Sequence, residues 1–480
     1  MEIKNYRERV LGAWLGKAVG GTLGAPHEGK RHTLNLSYYD PIPTEMLPND
    51  DLDLQVLWLC KLATDWKGLV SYRNFESAWR DCVGFCWDEY GICLRNLKLG
   101  IHAPHTGTYD NYFTDGLGAA IRSELWACLA PGNPQLAAAY AAVDAALDHA
   151  GDGIYAEQFL AAMESAAFVN SDIRALIEIG LSVIPSSCLL AHAVRDTVRW
   201  CDELGVPQAV HAEIMKKYSS ENFTDVKMNL AFEVMALLLC DGDFGRAICL
   251  AVNCGQDTDC TGATVGALMG LLNPLSISEE WLSPIGRELI ISKGITGINP
   301  PSTLDAFTDL LLETAPQIRL EEPTVIPFDA AAYAFSAHRR ILDCTGNICG
   351  EAEKVMLPGN KLELDFTQIP AGHFIKLDTD FVLDREETVK VFASTNEFVR
   401  VQVDDDFCFE SSGGTFVPGI HRMLPNQHCK KMLSAGKHTM SLTIGRHHPD
   451  IKVFPLVFGI GDDRNFWKWP DPFRSDATIL

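Results

Sequence analysis

The 480-residue sequence has no apolar run long enough to cross a membrane, and it is poor in basic residues. A membrane-spanning helix needs about 20 consecutive apolar residues, so we predict no membrane association. The 40 lysines and arginines are outnumbered by 63 acids, which gives a formal charge of −23. Because that charge repels phosphate backbones, we also predict no nucleic-acid partner.

The sequence also lacks the cysteine spacing of a disulfide or zinc framework. Its fifteen cysteines are odd in number and scattered through apolar runs, as at Cys240. We interpret them as reduced, buried thiols, which favours a cytoplasmic protein. The apolar stretch 11–26 superficially resembles a signal peptide. However, Lys17 interrupts it and no clear small-residue cleavage site follows.

No glycine-rich loop follows a strand, which argues against a Rossmann or P-loop enzyme. The glycines instead recur every four residues in two stripes, Gly12, Gly16, Gly20 and Gly24, then Gly262, Gly266 and Gly270. Each glycine inside a helix costs about 1 kcal/mol relative to alanine. We infer that two helices need these glycines for close backbone packing.

The chain changes character after about Pro316. Before it, apolar residues recur at helical spacing and strand alternation is nearly absent. After it, apolar and polar residues alternate in short runs, such as 362–366 and 440–444, with turn signals between them. The sequence therefore predicts an all-α domain over residues 1–318 and an antiparallel β-sandwich over residues 325–480.

Two acidic clusters lie beside apolar helical runs, Asn49-Asp50-Asp51 and Asp257-Thr258-Asp259. Helix capping explains one acid at a helix start better than several. Side chains two residues apart diverge by about 200° on a helix, so the second pair converges only from a non-helical turn. Grouped carboxylates suit Mg²⁺, Mn²⁺ or Ca²⁺ rather than zinc. Turn or cap acids remain an alternative for the second cluster taken alone.

Four motifs, in this order, resemble the ADP-ribosylglycohydrolase family. They are the stretch from Gly12 to Glu28, Asn49-Asp50-Asp51, the stretch from Gly118 to Arg122, and Asp257-Thr258-Asp259. The resemblance covers about residues 5–275 and does not extend to the β-rich end. It implies an all-α fold that holds two Mg²⁺ or Mn²⁺ ions at the bottom of a cleft.

The resemblance also implies roles for particular residues. The implied metal ligands are Asn49, Asp50, Asp51, Asp257, Asp259 and Cys260, the catalytic carboxylates are Glu28, Asp50 and Asp51, and the substrate-binding residues are Gly118, Ala119 and His149. Three positions depart from the family pattern. Asn49 and Cys260 replace threonine, and Gly21 replaces aspartate. Cys260 is a poor partner for a hard cation, which leaves Thr261 as an alternative ligand.

The implied function is metal-dependent hydrolysis of a glycosidic bond in a small-molecule or protein-linked glycosyl substrate, such as an ADP-ribosyl group. A water activated by the ions and positioned by a carboxylate would attack the anomeric carbon. One alternative is a glycoside hydrolase of this fold acting on another sugar. A second is a non-enzymatic binding or structural protein, which the four retained aspartates disfavour. The oligomeric state stays open.

Overall fold

The computed structural model describes residues 3–468 and 471–474. The chain forms two compact units, one of Met1–Gly84 with Thr114–Thr324, the other of Phe85–Phe113 with Val325–Leu480. The sequence predicted that residues 1–318 form one domain and residues 325–480 the other. The second unit nevertheless includes the segment 85–113, which we call the inserted segment.

The helices lie in the part of the chain where the sequence predicted them. They are α1 (Tyr6–Gly24), α2 (Asp50–Ala63), α3 (Tyr72–Cys82), α4 (Asp88–Lys98), α5 (His105–Thr108), α6 (Ser123–Leu129), α7 (Pro134–Ala145), α8 (Asp152–Ala167), α9 (Ile173–Ser182), α10 (Leu189–Leu204), α11 (Pro207–Tyr218), α12 (Val226–Leu239), α13 (Phe244–Val252), α14 (Thr258–Leu272), α15 (Glu279–Leu282) and α16 (Leu304–Thr314). Helices α4 and α5 belong to the inserted segment, and the other helices form the first unit. The predicted helical class of this region is confirmed.

The strands are β1 (Leu69–Val70), β2 (Arg319–Leu320), β3 (Phe335–Leu342), β4 (Ile348–Leu357), β5 (Lys361–Asp365), β6 (Phe374–Leu383), β7 (Glu387–Ser394), β8 (Phe398–Val403), β9 (Asp406–Ser411), β10 (His428–Leu433), β11 (Gly436–Gly445) and β12 (Val453–Gly461). The short strands β1 and β2 pair in parallel within the helical unit. The other strands form two antiparallel sheets of the second unit, in the orders β10-β7-β12-β5 and β4-β3-β6-β11-β8-β9. The predicted antiparallel C-terminal region is confirmed.

The two glycine stripes face each other across α1 and α14. A Cβ atom added to Gly16 would lie 2.0 Å from the Gly266 carbonyl oxygen, and one added to Gly20 would lie 1.9 Å from that of Gly262. No carbon atom fits at such distances, so the two backbones are in direct contact. The predicted reason for the glycines, close packing of two helices, is confirmed.

Buried charges bind the inserted segment into the second unit. Arg95 of α4 is almost fully buried and forms an ion pair with Asp110 at 3.0 Å. The Asp110 carboxylate also accepts hydrogen bonds from the backbone N–H groups of Asn360 and Lys361, at 2.9 and 2.7 Å. Buried charges are costly without partners. The β-rich unit therefore depends on residues from the first quarter of the chain.

We expect the ion pair between the buried His438 of β11 and the exposed Asp404 to make the second unit's stability depend on pH. His438 Nδ1 lies 2.6 Å from Asp404 Oδ2, and its Nε2 lies 2.9 Å from the Ser434 carbonyl oxygen. Burial opposes both charges, yet these hydrogen bonds give a net raised pKa for His438 and a net lowered pKa for Asp404. The raised pKa of His438 contributes its full stabilisation below the unfolded histidine pKa of about 6.5. The lowered pKa of Asp404 contributes its full stabilisation above the unfolded aspartate pKa of about 3.9. The pair is thus strongest from about pH 4 to 6.5.

The His438→Gln variant should therefore lose about 1 kcal/mol of stability near pH 5.5 and less above pH 8. Thermal unfolding of the full chain at both pH values measures the difference. The matched control is His338→Gln, because His338 is an exposed histidine of the same unit. An equal loss at both pH values would contradict the assignment of a charged pair.

Two absences predicted from the sequence can be compared with the structure. No helix within the described ranges is both long and apolar enough to cross a membrane. The fifteen cysteines are all free, but the prediction that they are buried is wrong for Cys344 and Cys349, which are exposed on the β-rich unit.

Candidate metal centre

A strained turn precedes α14 and sets the direction of the second acidic pair. Gly255 and Gln256 have φ values of 74° and 68°, in the left-handed region. A Cβ atom on Gly255 would lie 2.4 Å from the His32 carbonyl oxygen, so only glycine fits there. Asp257 then caps α14 with non-helical dihedrals, while Asp259 lies in the first helical turn. This is the non-helical turn that the sequence required for the two carboxylates to converge.

The same turn holds the loop that carries Glu28. Two backbone hydrogen bonds of 2.8 Å join residues 29–30 to Gln256. The Asn253 side chain accepts from the Leu36 N–H at 2.6 Å and donates to the Leu36 carbonyl at 2.9 Å. Glu28 is thus fixed relative to the turn before α14. The role of Asn253 could not be predicted from the sequence, because it arises only when the distant loop folds against this residue.

The first and second acidic clusters meet in the folded unit. Asp51, Asp259 and Cys260 each place one ligand atom within 4.8 Å of the others. Glu28, Asp257 and Asp259 form a second group within the same limit. Asp259 belongs to both groups. The arrangement provides two adjacent positions for a cation, one lined by oxygens and one that includes a sulfur.

Asp50 and Asn49 lie at the margin of these groups. Asp50 is half-buried at the start of α2, and its charge contributes to raising the pKa of Asp257 and of Asp259. Asn49 caps α2, and its Nδ2 lies 2.7 Å from the position that a Cβ atom on Gly21 would take. Two departures from the family pattern, Gly21 and Asn49, therefore compensate each other, because glycine leaves the space that the asparagine amide fills.

The three aspartates of the two groups are buried and repel one another. Burial raises the pKa of Asp51 to about 6, although the Lys17 ammonium opposes the shift. Burial and then the Glu28 charge raise the pKa of Asp257 and Asp259 well above the ordinary range. Within the described part of the chain, Asp51 Oδ2 and Asp259 Oδ1 have no hydrogen-bond partner. Such a donor set fits a divalent cation, which would neutralise the repulsion.

The Cys260 thiol shares this environment. Burial and the neighbouring Asp257 charge raise the pKa of this thiol well above its ordinary value. Without a cation the thiol therefore stays protonated at neutral pH.

A buried lysine supports Asp51 from behind. Lys17 Nζ lies 2.9 Å from Glu124 Oε1 and 3.5 Å from Asp51 Oδ1. Gln55 Nε2 donates to the other Glu124 oxygen at 2.8 Å and to the Asp51 carbonyl at 2.8 Å. Lys17 thus contacts one carboxylate oxygen of Asp51, and the other oxygen has no hydrogen-bond partner among the described residues. From the sequence, Lys17 was interpreted only as a charge that interrupts the apolar stretch 11–26. A lysine inside a glycine-rich apolar helix also indicates a buried acidic partner, and that signal was not used.

The residues predicted to bind substrate are all buried and lie outside the two acidic groups. Arg122 donates to the Gly118 carbonyl at 3.0 Å and pairs with Asp148 at 2.9 Å. Ala119 has no exposed surface, and neither has His149, whose Nδ1 lies 3.0 Å from an Asp148 oxygen. Their contact with substrate stays a prediction.

Comparisons with known proteins address the helical unit. The sequence profile described as ADP-ribosylglycohydrolase matches residues 2–315 of the chain. One similar solved structure, titled "ADP-ribosylglycohydrolase-related protein complex", is 21% identical and gives a TM-score of 0.46. That alignment covers 65% of this chain and 99% of the other. The search of curated proteins found no match.

Proposed function

The chain belongs to the ADP-ribosylglycohydrolase family, and we propose on that basis that it is a metal-dependent hydrolase of glycosidic bonds. The observation that carries the proposal is the meeting of Asp51, Asp257 and Asp259 with Glu28 in two groups that share Asp259. Burying three carboxylates that repel one another is costly for a protein that holds no cation beside them. This argues against the non-enzymatic alternative.

The two groups would hold two divalent cations, Mg²⁺ or Mn²⁺. Such ions supply Lewis acidity, which makes a water more acidic and polarises sugar oxygens. The carboxylates of the chain differ in the chemical role for which their surroundings suit them. Asp51 is fully buried and Lys17 contacts one of its oxygens, so it is suited to ligation. Glu28 is exposed at the solvent side of its group, so it is suited to accept the proton of an attacking water.

The substrate is proposed to be a glycosyl compound, either a small molecule or a modified protein. An ADP-ribosyl group is the first candidate because of the family. A different sugar is the second candidate. Asn49 and Gly21 favour it, because together they alter the polar groups presented beside the acidic clusters.

A hydrolysis screen tests the proposal. The full chain is incubated with ADP-ribosylated protein, ADP-ribosyl small molecules and simple glycosides, each with Mg²⁺, with Mn²⁺ or with excess chelator. We expect turnover of at least one glycosidic substrate with cation, loss to background in chelator, and recovery when cation is restored. Undiminished turnover in chelator would contradict metal dependence.

A further inference from the structure

Cys260 lies between the two acidic clusters rather than in an apolar core. Its sulfur is one of three ligand atoms grouped within 4.8 Å, together with oxygens of Asp51 and Asp259. Both of these aspartates are buried, and each has one oxygen without a hydrogen-bond partner among the described residues.

Cys254, another buried cysteine of the same unit, has the apolar surroundings expected of a cysteine that only packs. Cys254 lies in an apolar cluster with Met228 and Phe232, and its thiol contacts the Leu250 carbonyl one helical turn earlier. Cys260 instead faces charged oxygens, which are poor neighbours for a small hydrophobe. Packing alone does not account for its position.

The neighbouring threonine does not take the role of ligand in its place. Thr261 is fully buried, and its hydroxyl lies 3.4 Å from the Thr258 carbonyl of the preceding turn. The Thr261 backbone N–H donates to the Asp257 carbonyl at 3.1 Å, but among the described residues its hydroxyl has no hydrogen bond to the Asp51 or Asp257 carboxylate. Of the two candidates left open by the sequence, only Cys260 faces the acids. The unpartnered oxygens of Asp51 and Asp259 lie in the same group.

We propose that Cys260 is a thiolate ligand that makes one of the two cation positions selective for Fe²⁺, Co²⁺ or Zn²⁺ over Mg²⁺. This inference rests on the proposed metal-dependent function. Binding exchanges one proton for one metal–sulfur bond: the ion bonds to the sulfur, the thiol proton leaves to solvent, and no electrons are transferred. Thiolate favours these borderline ions, whereas the all-oxygen group of Glu28, Asp257 and Asp259 suits Mg²⁺ or Mn²⁺. The centre is thus chemically asymmetric.

Cobalt binding tests the proposal by spectroscopy. Chelator-treated full-length protein is titrated with Co²⁺, binding is measured by equilibrium dialysis, and ultraviolet absorption reports sulfur-to-cobalt charge transfer. The variant Cys260→Ser keeps a proton donor beside Asp51 and Asp259 but removes the sulfur. The matched control is Cys254→Ala, which removes a buried thiol outside the cluster.

We expect charge-transfer absorption in the wild type and in Cys254→Ala, and its loss in Cys260→Ser with Co²⁺ still bound. The preference for Co²⁺ over Mg²⁺ should fall by about tenfold or more in Cys260→Ser. Cadmium NMR of the wild type distinguishes sulfur from oxygen ligation even if that variant does not fold.

Two results would overturn the inference in different ways. Wild-type protein that binds Co²⁺ without charge transfer, and Cd²⁺ with oxygen ligation alone, would remove Cys260 from the ligand set and leave the proposed function standing. Wild-type protein that binds none of Mg²⁺, Mn²⁺ and Co²⁺ would end the proposed metal-dependent function, and this inference with it.

Discussion

The Asp259→Asn variant should lose cation-dependent hydrolysis by about 100-fold or more and yet be more stable than the wild type when no metal is present. Asp259 belongs to both candidate cation groups, so the loss of its charge weakens both. In the metal-free protein the same carboxylate is buried, repelled by its neighbours, and has one oxygen without a donor. Removing that cost should stabilise the fold by about 1–3 kcal/mol at neutral pH.

The gain in stability should depend on pH. The folded state raises the pKa of Asp259 above its unfolded value of about 3.9. Its protonated form is therefore favoured in the native state, and the wild type loses stability as pH rises above that unfolded value. The difference between variant and wild type should accordingly be small near pH 4 and grow toward pH 7.

Unfolding in chelator across this pH range, together with hydrolysis assays in Mg²⁺ or Mn²⁺, measures both effects. The control variant is Asp305→Asn, a partly exposed acid of the same unit that pairs with Arg7. It should change stability by no more than about 0.5 kcal/mol. Cation-dependent activity that survives in Asp259→Asn would remove this residue from the site.

The Gly20→Ala variant should destabilise the helical unit by about 3 kcal/mol or more. The added methyl group would lie 1.9 Å from the Gly262 carbonyl oxygen, so α1 and α14 would have to separate. Since α14 carries Asp259 and Cys260 in its first turns, cation binding should weaken together with stability.

Gly21→Ala provides a matched control one residue away. There the added methyl group would meet Asn49 Nδ2 at 2.7 Å, which is the end of a side chain that can rotate. Removing a helical glycine also gains about 1 kcal/mol, so the net change in stability should be small. Chemical unfolding of both variants measures the contrast. Equal losses would mean that the helix contact is less tight than the structure describes.

The sequence predicted those features that depend on local patterns. Helical and strand periodicity identified both types of region, and the four-residue glycine spacing indicated two helices in contact. The strands β5 and β11 lie where alternation predicted them. Strand β4 carries almost no such signal, because most of its residues are exposed on both faces.

Features that depend on tertiary contact were not predictable in this way. The local sequence of α4 does not reveal that this helix packs in the second unit. Lys17, Gln55 and Glu124 are distant in sequence, and only the fold makes them a network behind Asp51. The acids themselves stood out because each cluster lies beside a helix start. Their mutual approach followed from the resemblance rather than from spacing.

The inserted segment also has a consequence for synthesis of the protein. Residues 85–113 leave the ribosome about 200 residues before the first of their partners in the second unit. At typical translation rates of about 5–20 residues per second, the delay is roughly 10–40 s. Throughout that time Arg95 lacks the Trp467 ring that stacks on it, and the apolar cluster of Leu99, Ile101 and Tyr109 lacks Phe328 and Tyr333, which pack against it. Until residues 325–480 are synthesised, the inserted segment therefore exposes apolar side chains that could aggregate. The C-terminal third of the chain is thus needed to complete the fold of a segment that is made much earlier.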